Sequence, residues 1–425
     1  MIAHSASRIG SDGWTAKEGI AASDRVLLRE LAHRVRELSE RPIEAEKRQL
    51  WLDHNELKAT RPVVFCDPEH GWTEILPESV LACRGDMARS WEMLLRKEIF
   101  WAEGMRDDKV IEAVFRVPHV SRLTGWGLSE RKIQHDEQGS YVWEAPLTDY
   151  AMMDRLRFPQ VEVDEADSRD LLDLAREVFG DILEVRRHST WWWTLGMTWT
   201  LVNLRGLSQV LYDFLDNSDS LHSLMAFLRD GTLSLLDRLE QQDLLALNND
   251  GTYVGSGGFG WSRELPAPDF AGHVRTRDMW GFGESQETTC VSPEMFAEFV
   301  LPYQVPVLDR FGLNCYGCCE PLDARWQHVL QVPRLRRVSV SPWASVPGMA
   351  ERLGERYIFS YKPNPAYLAT PTPDFGAIRS RLRETLAAAR HNRMEIIMKD
   401  NHTLGGSAAN AVEWCRIAME ESLSI

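Results

Sequence analysis

Apolar residues recur along this chain at two spacings, and each predicts a different element. Between residues 24 and 40, Val26, Leu27, Leu28, Leu31, Ala32, Val35 and Leu38 fall at intervals that place one apolar stripe on a helix. Residues 44–54 extend it after Pro42. Stretches 75–99, 171–179, 201–241 and 374–391 carry similar helical patterns. Between them lie short apolar runs that end in polar residues: 61–68, 111–118, 181–188, 243–251, 311–320, 335–343, 357–365 and 394–402. Such runs read as buried strands, and repeated strand–polar tip–helix units predict a parallel sheet. Eight units fit an α/β (β/α)8 TIM barrel, with residues 1–60 as an N-terminal helical extension and 61–425 as the barrel. A doubly wound sheet is the alternative, but no Gly-rich dinucleotide turn appears. Residues 132–159 are polar with short alternating pieces, which predicts a hairpin inserted over the site. The run 254–260 is Gly-rich but lacks the Lys-Ser/Thr of a phosphate loop, so a mobile active-site loop is expected there.

Composition narrows the function. The chain has 425 residues, 44% hydrophobic and 26% charged, with a formal net charge of −15. An acidic chain lacks the basic footprint that nucleic acids and anionic membranes require, so neither is expected as a partner. No apolar run reaches the roughly 18 residues of a membrane span. The first residues lack the apolar core of a secretory signal. The seven cysteines are odd in number and three of them are clustered, which does not resemble a disulfide framework. A reducing, cytoplasmic setting is expected.

Chemistry in a barrel sits at the carboxyl ends of the strands. Those tips here include His188, Asn248, Asp250, Tyr316, Cys318, Glu320, Trp343, Asn364, Lys399, Asp400 and His402. Cys315, Cys318 and Cys319 crowd one tip, where strand alternation puts Tyr316, Cys318 and Glu320 on one face. A thiolate and a carboxylate there make half of a metal site. Read plainly, the same cysteines are small buried hydrophobes. His402 beside Gly405-Gly406 reads as a surface-loop histidine, and Lys399-Asp400 as a solvated ion pair. Trp280 and Trp343 are core filler in one reading and an aromatic rim for a broad planar ligand in the other. Pro363 and Pro365 fix the backbone around Asn364 and are expected to aim its amide into the mouth.

One stretch carries a family resemblance. Val291-Ser292-Pro293-Glu294-Met295-Phe296-Ala297-Glu298-Phe299-Val300-Leu301-Pro302-Tyr303 resembles the Ser-Pro-x-x-Phe-x-Glu-Phe-x-x-Pro-Tyr helix of the uroporphyrinogen decarboxylase superfamily. The resemblance spans roughly residues 165–420 and implies a (β/α)8 barrel. That superfamily includes tetrapyrrole decarboxylases and zinc-dependent methyltransferases, which move a methyl group from a corrinoid protein to a thiol such as coenzyme M. Their His-x-Cys-Gly zinc motif aligns with Tyr316-Gly317-Cys318-Cys319, so Cys318 takes the cysteine position and Tyr316 replaces the histidine. Their last-strand Ser-Pro-Gly-Cys-Gly aligns with Lys399-Asp400-Asn401-His402 and puts His402 at the third ligand. The resemblance therefore implies zinc held by Cys318 and His402, with Glu320 or Cys319 completing the set.

The implied activity is methyl transfer between a protein-bound corrinoid and a small thiol or similar acceptor, zinc-assisted, with Trp280 and Trp343 receiving the corrin face. His188, Asn248, Asp250 and Asn364 are the expected substrate contacts. Tyr316, Lys399 and Asp400 are the expected catalytic groups, with Lys399 and Asp400 carrying acid–base work if no metal binds. Tetrapyrrole decarboxylation is the alternative, although the Arg-Gln-Ala-Gly-Arg segment that clamps the substrate's carboxylates has no counterpart here. A non-catalytic barrel holding a corrinoid or porphyrin is the other.

Overall fold

Five of the apolar runs, joined by one further strand, build one parallel sheet. The computed structural model describes residues 14–134 and 141–425. In chain order the strands are β1 (Val63–Cys66), β2 (Val114–Val117), β3 (Ser121–Leu123), β4 (Arg131–Gln134), β5 (Tyr141–Glu144), β6 (Val161–Val163), β7 (Glu184–Arg187), β8 (Tyr253–Val254), β9 (Gly258–Phe259), β10 (Trp280–Gly283), β11 (Leu313–Tyr316), β12 (Leu335–Val340), β13 (Ile358–Tyr361) and β14 (Arg393–Met398). The main sheet runs β1-β14-β13-β12-β11-β10 and is parallel throughout. Its strands are buried on both faces, as expected when helices cover one side and a filled lumen the other. β2 and β7 form a separate parallel pair.

The expected closed ring of eight strands is not what forms: hydrogen bonds do not close the barrel among the described residues. Side chains span the gaps. Asp108 accepts from Val64 N (2.8 Å) and donates its own N–H to Val64 O (2.9 Å), joining β1 to the segment before β2. On the other side Asn248 accepts from Trp280 N (2.9 Å) and donates to Trp280 O (3.0 Å). The run expected as a strand at 243–251 thus lies beside β10 without joining its ladder. β10 itself was not anticipated, because two glycines in Trp280-Gly281-Phe282-Gly283 mask it as a strand.

The amino-terminal helices pack directly on this assembly. α1 (Ala22–Ser39) buries Leu28, Ala32, Val35 and Leu38 against the helices Asp86–Phe100 and Glu165–Phe179. α2 (Pro42–Asn55) starts on a proline, which suits a first turn whose N–H has no helical partner. Its last residues enter the lower lumen. His54 Nε2 lies 3.1 Å from Glu395, and Asn55 donates to Phe259 O (2.9 Å) and Trp261 O (2.7 Å).

The Gly-rich run is not a mobile loop. β8 and β9 form a tight antiparallel hairpin, and Val254 to Phe259 are buried within the lumen. A Cβ on Gly258 would lie 2.4 Å from Arg337 Cζ. Glycine is needed there for close approach rather than for mobility. The polar insertion does hold a hairpin, β4–β5, whose tip at 135–140 lies outside the described residues. No helix among the described residues is long and apolar enough to cross a membrane.

Candidate functional site

The tip of β11 shows how the mouth is organised. Cys315 points into the lumen, where Arg337 donates to its sulfur at 3.6 Å. Its neighbour Tyr316 therefore faces the helix layer, fully buried, with its hydroxyl donating to Gln304 at 2.6 Å. Gly317 adopts φ +90°, open to glycine at little cost, and resets the alternation. Cys318 consequently returns to the lumen, where Ser256 Oγ donates to its sulfur at 3.3 Å. The expected sharing of one face by Tyr316 and Cys318 fails for this reason, and Tyr316 is a packing residue rather than a catalytic one.

Lys399 is the centre of the mouth. Its side chain is 5% exposed, and its ammonium lies 3.5 Å from Glu69 Oε1 and 3.5 Å from Asp400 Oδ1. Burial opposes its charge, but Tyr253, Asp400, Cys318 and Glu69 hold it well above the usual lysine range. The pKa of Glu69 is raised as well, which for a carboxyl favours the uncharged form. Burial, reinforced by Asp400 and Asp67 and opposed by Lys399, pushes its carboxyl up to about 7. Asp400 Oδ1 accepts no hydrogen bond, although it is buried. Both Glu69 (φ +49°) and Asp400 (φ +60°) sit in left-handed backbone, uncommon for side-chain-bearing residues. Tyr253, 37% exposed, completes the floor. A Cβ on Gly257 would lie 3.1 Å from its hydroxyl and 3.5 Å from Lys399 Cδ, so tyrosine and lysine converge on the hairpin turn. Cys319 reaches this cluster from β11, its sulfur 3.8 Å from Asp400 Oδ2 and 3.7 Å from Cys318 Sγ. Its contact with Cys318, then burial, raises its thiol far above the usual range.

The other expected residues disperse. Asn248 is spent on the Trp280 backbone. Trp280 is buried in the lumen, donating to Gly260 O and stacked under Arg337, so it cannot line a rim. Asp250 accepts from Arg116 (3.0 Å) and Arg186 (3.5 Å) beside the β2–β7 pair. His188 stands near that group, its imidazole pushed down to about 4 by burial and then by Arg116. Asn364 caps a short turn by accepting from Ala366 N at 3.0 Å, so the flanking prolines fix a cap and do not aim its amide inward. Trp343 is 69% exposed. His402 is exposed and stacks on His70, ring centroids 5.3 Å apart and 6° from parallel.

The implied zinc set does not fit. Glu320 is bound inward, accepting from Ser285 N (2.8 Å) and Cys318 N (2.9 Å). His402 faces His70 rather than the thiols. Among the described residues no group of three or more His, Cys, Asp or Glu side chains is placed to hold a metal ion.

Glu69 and Tyr253 were not singled out from the sequence. The acidic tip Asp67-Pro68-Glu69 just beyond β1 was the available signal for Glu69. Tyr253 gave none, because its hairpin read as a loop. No family model matches this chain, and no curated protein matches it in sequence. Among solved structures, a methyltransferase from Methanosarcina mazei is similar over 88% of this chain and 97% of its own, with a TM-score of 0.48 and 11% identity.

Proposed function

We propose that this chain is an enzyme that moves a proton at the barrel mouth, with Glu69 as the carrier and Lys399 as the fixed cation. The observation that carries the reading is the position of Lys399, 3.5 Å from each of two carboxylates, one of them titrating at about 7. A carboxyl poised near neutrality exchanges a proton in both directions, which is what a general acid–base group must do. Lys399 is placed to stabilise negative charge that develops on a bound substrate. Asp400 Oδ1 lies 3.5 Å from the same ammonium, so the lysine is held between two carboxylates. Two residues in left-handed backbone on either side of one lysine support a functional reading, since strain of that kind clusters at active sites.

Methyl transfer to a protic acceptor, the activity implied by the family resemblance, fits this cluster in a metal-free form. Glu69 takes the acceptor's proton, and Lys399 steadies the resulting anion. A partner-held corrinoid would supply the methyl group, and exposed Trp343 is the aromatic face available to it. Tetrapyrrole decarboxylation has less support. Arg116 and Arg337 are committed to Glu112, Asp250 and Glu395, and the mouth carboxylates repel a polyanion. A porphyrin-holding barrel is disfavoured by the hairpin that fills the lumen.

The test is methyl transfer from methylcobalamin to a panel of small thiols, followed against pH with and without a strong chelator. The reading expects activity that survives the chelator, follows an apparent pKa near that of Glu69, and falls ~100-fold or more in Glu69→Gln. Activity abolished by the chelator and indifferent to Glu69→Gln would overturn it.

A further inference from the structure

Two sulfurs beyond the tip of β11 meet as neighbouring residues of a strand cannot. Adjacent side chains of a strand point to opposite faces. Cys318 and Cys319 lie past the end of β11, where Gly317 at φ +90° bends the chain, and their sulfurs converge to 3.7 Å. The bend is held at its backbone: Cys318 N donates to Glu320 Oε2 at 2.9 Å, and Cys318 O accepts from Ser339 Oγ of β12 at 2.9 Å. The two thiols have different partners. Ser256 Oγ donates to Cys318 Sγ at 3.3 Å, whereas the Cys319 thiol donates toward Asp400 Oδ2 at 3.8 Å. Solvent reaches the pair through Cys319, which is half-buried, while Cys318 is 1% exposed. Of the other cysteines, Cys66, Cys83, Cys315 and Cys415 are buried and Cys290 is exposed.

We propose that Cys318 and Cys319 form a reversible oxidation site, closed to a disulfide between neighbouring residues by a small peroxide and reopened by a thiol. The fold has already brought the sulfurs into contact, so closure needs no rearrangement of the strands. The product is a labile bridge. Neighbouring Cα atoms stand ~3.8 Å apart across a trans peptide, less than the ~4.4–6.8 Å usual for bridged cysteines. A bridge here is therefore strained and easily reduced, which is the character of regulatory rather than structural disulfides. Closing it also withdraws the Cys319 S–H from Asp400, so the state of the pair is felt at the mouth.

The contacts assign the two roles. Cys318, the sulfur that accepts from Ser256, attacks one oxygen of the peroxide. An S–O bond forms, the O–O bond breaks, and the departing hydroxide leaves as water with the Cys318 proton. The sulfenic acid so formed is attacked by the adjacent Cys319 sulfur. An S–S bond forms, the S–O bond breaks, and the second hydroxide leaves as water with the Cys319 proton. Two thiols and one peroxide become one disulfide and two waters: the sulfurs lose two electrons and the peroxide oxygens gain them. Peroxide is hardly larger than water, so it passes a half-buried residue that would stop a bulkier oxidant.

The experiment treats the folded wild-type chain with hydrogen peroxide, alkylates the remaining thiols with N-ethylmaleimide in urea, and maps the tryptic peptides by mass. Peptide 311–325 holds Cys315, Cys318 and Cys319. It is expected to carry a single label, on Cys315, and to lack two hydrogens elsewhere. Fragmentation between Tyr316 and Gly317 separates the labelled Cys315 from the unlabelled pair and so locates the bridge. Dithiothreitol before alkylation should restore all the labels. The folded chain should give at least ~10-fold more closed pair than the urea-unfolded chain, where the short Cα spacing opposes closure and no fold holds the sulfurs together. Cys319→Ser should show no bridge and should gain oxygen on Cys318 instead. Equal closure in folded and unfolded chains would overturn the proposal. So would a folded chain in which exposed Cys290 is oxidised while Cys318 and Cys319 both stay open to alkylation, or one in which they only gain oxygen. None of these readouts depends on Glu69 or on turnover, so failure here is distinguishable from failure of the proton-transfer reading.

Discussion

Gly258→Ala tests whether the glycine-rich hairpin is lodged in the lumen. Its added Cβ would lie 2.4 Å from Arg337 Cζ and 2.7 Å from Nε and Nη2, closer than atoms can approach. Arg337 must move, and it is anchored on all sides. Nε lies 3.0 Å from Glu395, one terminal nitrogen donates to Asn55 Oδ1 at 2.6 Å, and the other donates to Cys315 Sγ at 3.6 Å. Overpacking a filled core costs ~1–3 kcal/mol. Breaking a buried ion pair costs ~3–5 kcal/mol. A guanidinium at the end of a flexible chain yields part of the way, so a loss of about 2–4 kcal/mol is expected, between those two limits. Urea unfolding followed by circular dichroism measures it. Gly125→Ala is the matched control, since nothing lies within 4 Å of its Cβ position. That change should stay within ~1 kcal/mol of wild type. Equal stability of the two variants would refute a buried hairpin and restore the mobile loop that its composition suggests.

Two further outcomes follow from the same geometry. Asn248→Ala removes both bonds to the Trp280 backbone and should cost about 3 kcal/mol in chemical unfolding, because each buried polar group left short of a partner costs ~1–3 kcal/mol; an unchanged midpoint would remove the bridge that joins this segment to β10. Glu69→Gln should alter how stability depends on pH. The folded carboxyl titrates at about 7 against a reference of 4.5, so the folded chain holds more protons between those values. Wild-type stability should therefore fall as pH rises through that window, by up to ~3 kcal/mol, and Glu69→Gln should lack the fall; parallel pH curves for the two proteins would sink the assignment.

Much of the architecture was readable because parallel strands buried on both faces leave unbroken apolar runs. Residues 335–343, 357–365 and 394–402 therefore marked β12, β13 and β14 and placed Lys399-Asp400 at a tip. Elements that depart from that pattern were hidden. β10 alternates with glycine, and the Asn248 bridge replaces a backbone ladder with an amide, so the unit count reached eight from a partly different set of segments. The cysteine-rich tip was located correctly, but the φ of Gly317 decides which side chains share a face, and no local spacing encodes it. Glu69 and Lys399 meet across hundreds of residues of chain, so their pairing is a property of the sheet order β1-β14 rather than of either motif. The shift of Glu69 arises from burial and from Asp400 and Asp67, which likewise exist only in the folded chain.

The most direct measurement of the central claim needs no substrate. Protein labelled with 13C at glutamate side-chain carboxyls is titrated by NMR from acid to alkaline pH, for wild type and Glu69→Gln. The account predicts one carboxyl resonance titrating near 7 that is missing from Glu69→Gln. A wild-type spectrum in which no resonance titrates near neutrality, or one whose near-neutral resonance persists in Glu69→Gln, would contradict it.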